Sequence, residues 1–255
     1  MITIKNAREI KLMRQSNALV ALILDELHDM IKPGVNAYDL NDRAEAIIRA
    51  HNAESAFKGY EMDDLDPYEY SICSSINSEI VHGYSTKDKI LQNGDIIGID
   101  VGVKLNGFCG DGARTFAVGT VSKEVQFLLD CTKKALENAI AQCTPGNRVG
   151  DISAAIEKTA MDNGIHVAEW LTGHGIGRML HEDPIIPNVG KKGTGPMLKP
   201  GMTISIEPMF NIGTSKAVEK EWVYYTMDGS SSAHFENTVL ITESEPEILT
   251  KTRSS

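Results

Sequence analysis

The chain has 255 residues, with 25 Lys+Arg against 35 Asp+Glu and a formal net charge of −10. At 42% hydrophobic and 24% charged it has enough apolar material for a large core, which excludes a disordered chain. The acidic balance argues against a nucleic-acid binder, since phosphate contacts need clustered Lys and Arg. The longest apolar run, Ala18 to Leu24, is too short to span a bilayer, and the first residues lack the charged-then-apolar order of a secretory signal. Cys73, Cys109, Cys131 and Cys143 form no CxxC pair and read as free thiols of a reducing cytoplasm.

In chain order, Asn6 to Ile31 carries apolar residues at helical spacing, and Asn6 with Glu9 makes a capping box at its start. Pro33-Gly34 ends that helix, and a second begins near Asp39. An acidic stretch, Glu61 to Tyr70, reads as a surface loop. In Ile97-Gly98-Ile99-Asp100-Val101-Gly102-Val103 the odd positions are β-branched and the even ones are Gly, Asp and Gly. That alternation predicts a strand with one helix-covered face and one small, polar face. Asp111 follows 11 residues after Asp100, a hairpin's span, which puts the two aspartates side by side.

The second half repeats this order. Lys123 to Cys143 matches the first helix, and Pro145 to Ile152 echoes Pro33 to Leu40 at an offset of 112 residues. Leu198 to Glu207 echoes Leu91 to Asp100 at an offset of 107, so Glu207 answers Asp100. Ala233 to Val239 reads as one further strand, with His234, Glu236 and Thr238 on one face. The two echoes predict an α+β fold, a duplicated αα-plus-β unit with helices on one face of a mainly antiparallel sheet. Residues 1–255 form a single domain, with repeats of roughly 6–120 and 121–250.

Asp100, Asp111, Glu207 and Glu236 on one sheet face would repel, and cations are the natural remedy. Two divalent ions balance four carboxylates. The plainer alternative is four solvated strand carboxylates, which fits any one of them better than all four. His174, between glycines in Gly173-His174-Gly175, adds an imidazole; His181 follows in the same loop. Carboxylates with one imidazole suit Mn²⁺, Fe²⁺ or Co²⁺, with Zn²⁺ also open. Two such ions point to metal-activated water attacking a carbonyl or phosphoryl centre.

Val81-His82-Gly83, Gly98 to Gly102, the Asp111 hairpin, Gly173 to Gly177, Gly201 to Met209 and Phe235-Glu236-Asn237-Thr238 together resemble the type I methionine aminopeptidases. These share the pita-bread fold with aminopeptidase P and prolidase, and the resemblance runs nearly the whole chain. It implies that Asp100 chelates one metal, Asp111 and Glu236 bridge both, and His174 and Glu207 complete the other metal's shell. It also implies a bridging hydroxide that attacks the methionyl carbonyl, with Glu207 moving the proton. His181 would stabilise the oxyanion, and His82 would bond near the scissile amide. Tyr60, Cys73, His82 and Trp222 would line the methionine pocket. Without the resemblance, His82 and His181 read as packed or exposed histidines, Cys73 as a small buried hydrophobe and Trp222 as core.

The implied function is removal of the initiator methionine from nascent polypeptide N-termini when the second residue is small. The implied protein is a cytoplasmic monomer without membrane or sequence-specific nucleic-acid partners, with the ribosome as an open contact. The alternatives are an Xaa-Pro aminopeptidase or prolidase-like peptidase, and a non-catalytic pita-bread binding protein. The chain departs from the family pattern in the acidic stretch 61–70, which leaves open whether Tyr68 or Tyr70 lines the pocket. Leu180 stands where an aromatic is usual, and Asn237 where a His is.

Overall fold

The computed structural model describes residues 1–62 and 65–253, so Asp63 and Asp64 of the acidic stretch lie outside the described residues. Helix α1 (Ala7–Met30) starts at the expected capping box: the Asn6 side chain accepts from the Arg8 and Glu9 amides, and the Glu9 side chain accepts from the Asn6 amide. Helix α2 (Ala37–Ala50) is capped by Asn36, whose side chain accepts from the Asp39 amide. Helices α3 (Lys123–Ile140) and α4 (Val149–Asn163) repeat the pair.

The duplication is visible at the backbone. Gly34 and Gly146, the expected counterparts, both sit at φ +92°, in the left-handed region that glycine occupies without strain. The Gly34 amide donates to Leu91 O at 2.8 Å and the Gly146 amide to Leu198 O at 3.3 Å. Bridges Asn36–Ile90 and Arg148–Met197 complete the correspondence.

Among the described residues all strand pairings are antiparallel. Strand Ile96–Leu105 is the spine of the first half, pairing with Phe108–Ala117, Ile72–Ile76 and Glu54–Ser55. In the second half, Thr203–Ile206 lies between Asn237–Leu240 and Thr172–Gly175, with Glu247–Ile248 and Glu182–Pro187 outermost. Two three-stranded ladders flank these: Ser232–His234 with Met209–Asn211 and His166–Val167, and Ala217–Lys220 with Val223–Thr226 and Glu79–Val81.

The alternation read from sequence sorts the two faces as expected. Ile97, Ile99, Val101 and Val103 are fully buried and join Leu19, Ile23, Leu27, Leu40 and Ile47 of α1 and α2 in one cluster. Ile204 and Ile206 meet α3 and α4 residues such as Leu128, Ala135, Ile152 and Ile156 in another. Helices therefore cover one face, and the polar face of the strands opens on the other.

The stretch 233–239 is not one strand, which corrects the sequence reading. Ser232–His234 and Asn237–Leu240 belong to different ladders, with Phe235 and Glu236 between them. The chain changes partner there: the Phe235 amide donates to Pro208 O at 3.4 Å, and the Glu236 amide to Ala113 O at 2.8 Å. The second bond ties the two halves together beside Asp111.

Gly110 shows how tightly that hairpin is held. A Cβ there would lie 2.7–2.8 Å from backbone atoms of Ser16 and Asn17 in α1. A helix backbone cannot yield as a side-chain tip can, so we expect Gly110→Ala to destabilise the protein by about 1–3 kcal/mol. Thermal unfolding checks this; an unchanged melting temperature contradicts it.

Candidate active site

The carboxylates meet where the two halves join. Asp111 lies opposite Gly102 in the hairpin, so it shares a face with Asp100 two residues along; the pair is diagonal rather than directly opposed. Cys73 lies opposite Asp100 on the other side of the spine strand. Glu207 directly follows strand Thr203–Ile206, and Glu236 directly precedes its partner Asn237–Leu240. His174 sits at a bulge between its strand and Glu182–Pro187.

Among the described residues, Asp111, His174 and Glu236 each offer a donor atom within 4.8 Å of the others. His174 Nε2 is 3.6 Å from both Asp111 Oδ2 and Glu207 Oε1. The Nδ1 of His174 is 2.9 Å from its neighbour's carbonyl, Gly175 O, which fixes the ring and turns Nε2 toward the carboxylates. Asp111, His174 and Glu236 thus converge, Glu207 lies beside His174, and Asp100 lines the same cavity.

Electrostatics sets these groups apart from surface acids. Burial, then the neighbouring carboxylates, raises Asp100 and Glu236 well above the usual carboxylate range. Burial also raises Asp111. Glu207 goes the other way: burial opposes its charge, but His234, His174 and His181 outweigh that and hold it low. Oδ1 of Asp100, Oδ1 of Asp111 and Oε1 of Glu236 are buried without a hydrogen-bond partner. Several buried, unpartnered carboxylate oxygens beside one imidazole are the donor set a divalent cation requires, so the residues fit a metal site. Solvated strand carboxylates do not describe them.

A cavity of about 640 Å³ opens beside the cluster, lined by Tyr60, Cys73, His82, His181 and Trp222 as well as the acids. His82 holds φ +60° and packs edge-on against Tyr224, with ring centroids 5.9 Å apart. His181 stands at the mouth with part of its ring exposed; its Nδ1 is 3.0 Å from Tyr60 Oη, and its ring is 4.4 Å from that of His174. Partial burial, then His174, lowers its pKa below the ordinary imidazole range.

Tyr68, not Tyr70, lines this cavity. Tyr68 is buried, donates to Gly83 O at 2.8 Å and packs edge-on against Trp222. The Tyr68 amide donates to Tyr60 O, and Trp222 Nε1 donates to Asp66 O at 2.9 Å. Met62 and Tyr68 of the acidic stretch therefore line the cavity, while Glu61, Asp66 and Glu69 are exposed as the loop reading expected. Leu180 is buried in the same wall. Asn237 has a different task from a site residue: its Oδ1 accepts from the buried Arg114 and from Thr250 Oγ1. His234, beside Glu207, is the site-adjacent residue the sequence reading placed on the right face without giving it a role.

A model of metallopeptidase family M24 matches residues 11–243. The chain belongs to metallopeptidase family M24. Within M24 it is 44% identical over 252 residues to a methionine aminopeptidase of Clostridium acetobutylicum, covering 98% of this chain and 99% of that one. It is 42% identical to methionine aminopeptidase 1 of Bacillus subtilis, covering 98% and 100%. The crystal structure of the Thermotoga maritima methionine aminopeptidase superposes with a TM-score of 0.95 at 43% identity, covering 98% of this chain and all of that one. A prolidase of Pyrococcus furiosus shares the fold at a TM-score of 0.75 and 24% identity, and the M24 chain spans 66% of it. The pita-bread fold and the metal dependence of M24 peptidases follow from this membership.

Proposed function

We propose that this M24 chain is a methionine aminopeptidase that removes the initiator methionine from polypeptides whose second residue is small. What carries the reading is the join of a carboxylate–imidazole cluster to a cavity walled by Tyr60, Tyr68, Cys73, His82 and Trp222. A thiol and aromatic rings suit a thioether side chain. The near-full-length likeness to methionine aminopeptidases supports it.

Asp100, Asp111, His174, Glu207 and Glu236 would together hold two divalent ions. Mn²⁺, Fe²⁺, Co²⁺ and Zn²⁺ all suit that donor set. Bound there, such ions supply a water nucleophilic at neutral pH and polarise the scissile carbonyl. Glu207 takes the proton of the attacking water and passes it to the leaving amine. His181 donates from Nε2 to the carbonyl oxygen as negative charge develops, with Tyr60 donating to Nδ1 and so keeping the proton on Nε2. His82 hydrogen-bonds near the scissile amide.

Bonds between the halves, such as Glu236 N to Ala113 O, support one catalytic unit over residues 1–255 with repeats near 6–120 and 121–250. The substrates are nascent polypeptide N-termini. The four free cysteines suit a reducing cytoplasm, and no described helix is long and apolar enough to cross a membrane. The chain acts as a monomer, with the ribosome as a candidate site of action.

The deciding assay is methionine release from Met-Ala-Ser with Mn²⁺ or Co²⁺. We expect turnover that a chelator stops and added metal restores. Cleavage of Xaa-Pro peptides but not Met-Ala-Ser would make the chain prolidase-like, and no turnover with any metal would make it a binding module.

A further inference from the structure

His234 is a buried polar side chain that this mechanism leaves unused. It closes strand Ser232–His234 opposite Met209 and is 3% exposed. Thr115 fixes its backbone from both sides: the His234 amide donates to Thr115 Oγ1 at 2.9 Å, and that hydroxyl donates to His234 O at 2.8 Å. The ring is therefore delivered to one place. Its Nε2 is buried, has no other polar partner and lies 3.3 Å from Glu207 Oε2, an ion-pair distance. The other oxygen of that carboxylate, Oε1, is 3.6 Å from His174 Nε2. Glu207 thus stands between two imidazoles, one at each oxygen.

The Nε2 of His234 faces Oε2 of Glu207, the oxygen other than the one on the His174 side. A nitrogen so placed is able to orient that carboxylate. A carboxylate side chain has three rotatable bonds, and a donor on one oxygen removes the rotation that would carry the other away from an ion.

We propose that His234 is a positioning residue for the metal site: its Nε2–H holds Oε2 of Glu207, so that Oε1, on the His174 side, is the oxygen presented to the ion. The inference rests on the reading of Glu207 as a metal ligand and names what keeps that ligand in place. It also gives Glu207 a fixed geometry for its proton transfer.

The test compares His234→Leu, which fills a similar volume without a donor, with His234→Gln, whose amide N–H can reach the same oxygen. Metal-stripped wild type and variants are titrated calorimetrically with Mn²⁺, alongside Met-Ala-Ser kinetics and thermal melts. For the leucine variant we expect Mn²⁺ affinity to fall about 10- to 100-fold. Its kcat should fall with KM within about twofold of wild type, because the loss lies in orientation and not in substrate binding. The glutamine variant should recover most of both losses. If leucine prevents folding, His234→Asn, too short to reach Oε2, should show the same loss. Wild-type Mn²⁺ affinity in the donorless variants, or a glutamine variant no better than they are, overturns the proposal. Wild type that binds Mn²⁺ but leaves Met-Ala-Ser intact would sink the aminopeptidase reading while the calorimetric comparison still decides the role of His234.

Discussion

Asp111→Asn is expected to lower kcat/KM by at least about 10³-fold, roughly 4 kcal/mol, and to take tight metal binding with it. Asp111 is 3% exposed, lies within reach of both His174 and Glu236, and has one oxygen without a partner. Asparagine keeps the shape but offers one neutral acceptor in place of a charged carboxylate with two donor oxygens. Calorimetry with Mn²⁺ separates this from a folding defect. In wild type, metal at 100 times its dissociation constant should add about 2.7 kcal/mol of stability. The variant should lose that gain while its metal-free form melts no lower than metal-free wild type, because one of four mutually repelling acids is gone. Retained activity, or a metal-induced melting shift equal to wild type, would break the bridging assignment.

The second large effect belongs to His181→Ala: kcat should drop about 10²- to 10³-fold while Mn²⁺ affinity stays within about threefold of wild type. The ring is held from one side by Tyr60 and from another by His174, and its exposed edge faces the cavity mouth where the scissile carbonyl would sit. Its pKa lies below the ordinary imidazole range, so it is neutral at working pH and acts as a hydrogen-bond donor, not as a cation. The acid limb of the kcat profile should therefore persist in the variant, because a group other than His181 sets it. Tyr60→Phe should reproduce part of the loss by freeing Nδ1 to take the proton from Nε2. An alanine variant with wild-type kcat, or one that loses metal, would remove His181 from the oxyanion role.

The parts of the site legible in the sequence were those written in a strand's two-residue period or in the repeat. Asp100 stood out because its neighbours alternate strictly, and all four of Ile97, Ile99, Val101 and Val103 are buried under helices. Glu207 stood out because the second half repeats the first, and the matching φ of Gly34 and Gly146 shows that the repeat is geometric. His174 stood out by its flanking glycines, while the roles of His82 and His181 rested on family resemblance, since isolated histidines carry no periodicity. Residues 233–239 misled because their alternation is real but their pairing is not: the chain leaves one ladder at His234 and enters another at Asn237. That switch depends on where Pro208 and Ala113 lie, which no local pattern encodes. The same blindness hid His234, whose significance comes from its distance to Glu207. Between Tyr68 and Tyr70, it is Tyr68, bonded through its amide to Tyr60 O, whose ring lines the cavity.

The seam between the repeats has a consequence for how the protein comes into being. The first half brings Asp100 and Asp111, the second His174, Glu207 and Glu236, and the bond from Glu236 to Ala113 spans more than a hundred residues of chain. Contacts so distant in sequence form late, after the loop entropy of closing them has been overcome. On a chain made from its N-terminus onward, two aspartates alone make no cage, and Glu236 follows them by more than a hundred residues. Capture of metal at the proposed site would thus report that both halves have folded and docked. Metal uptake followed in time would read the final step of maturation, not an early one.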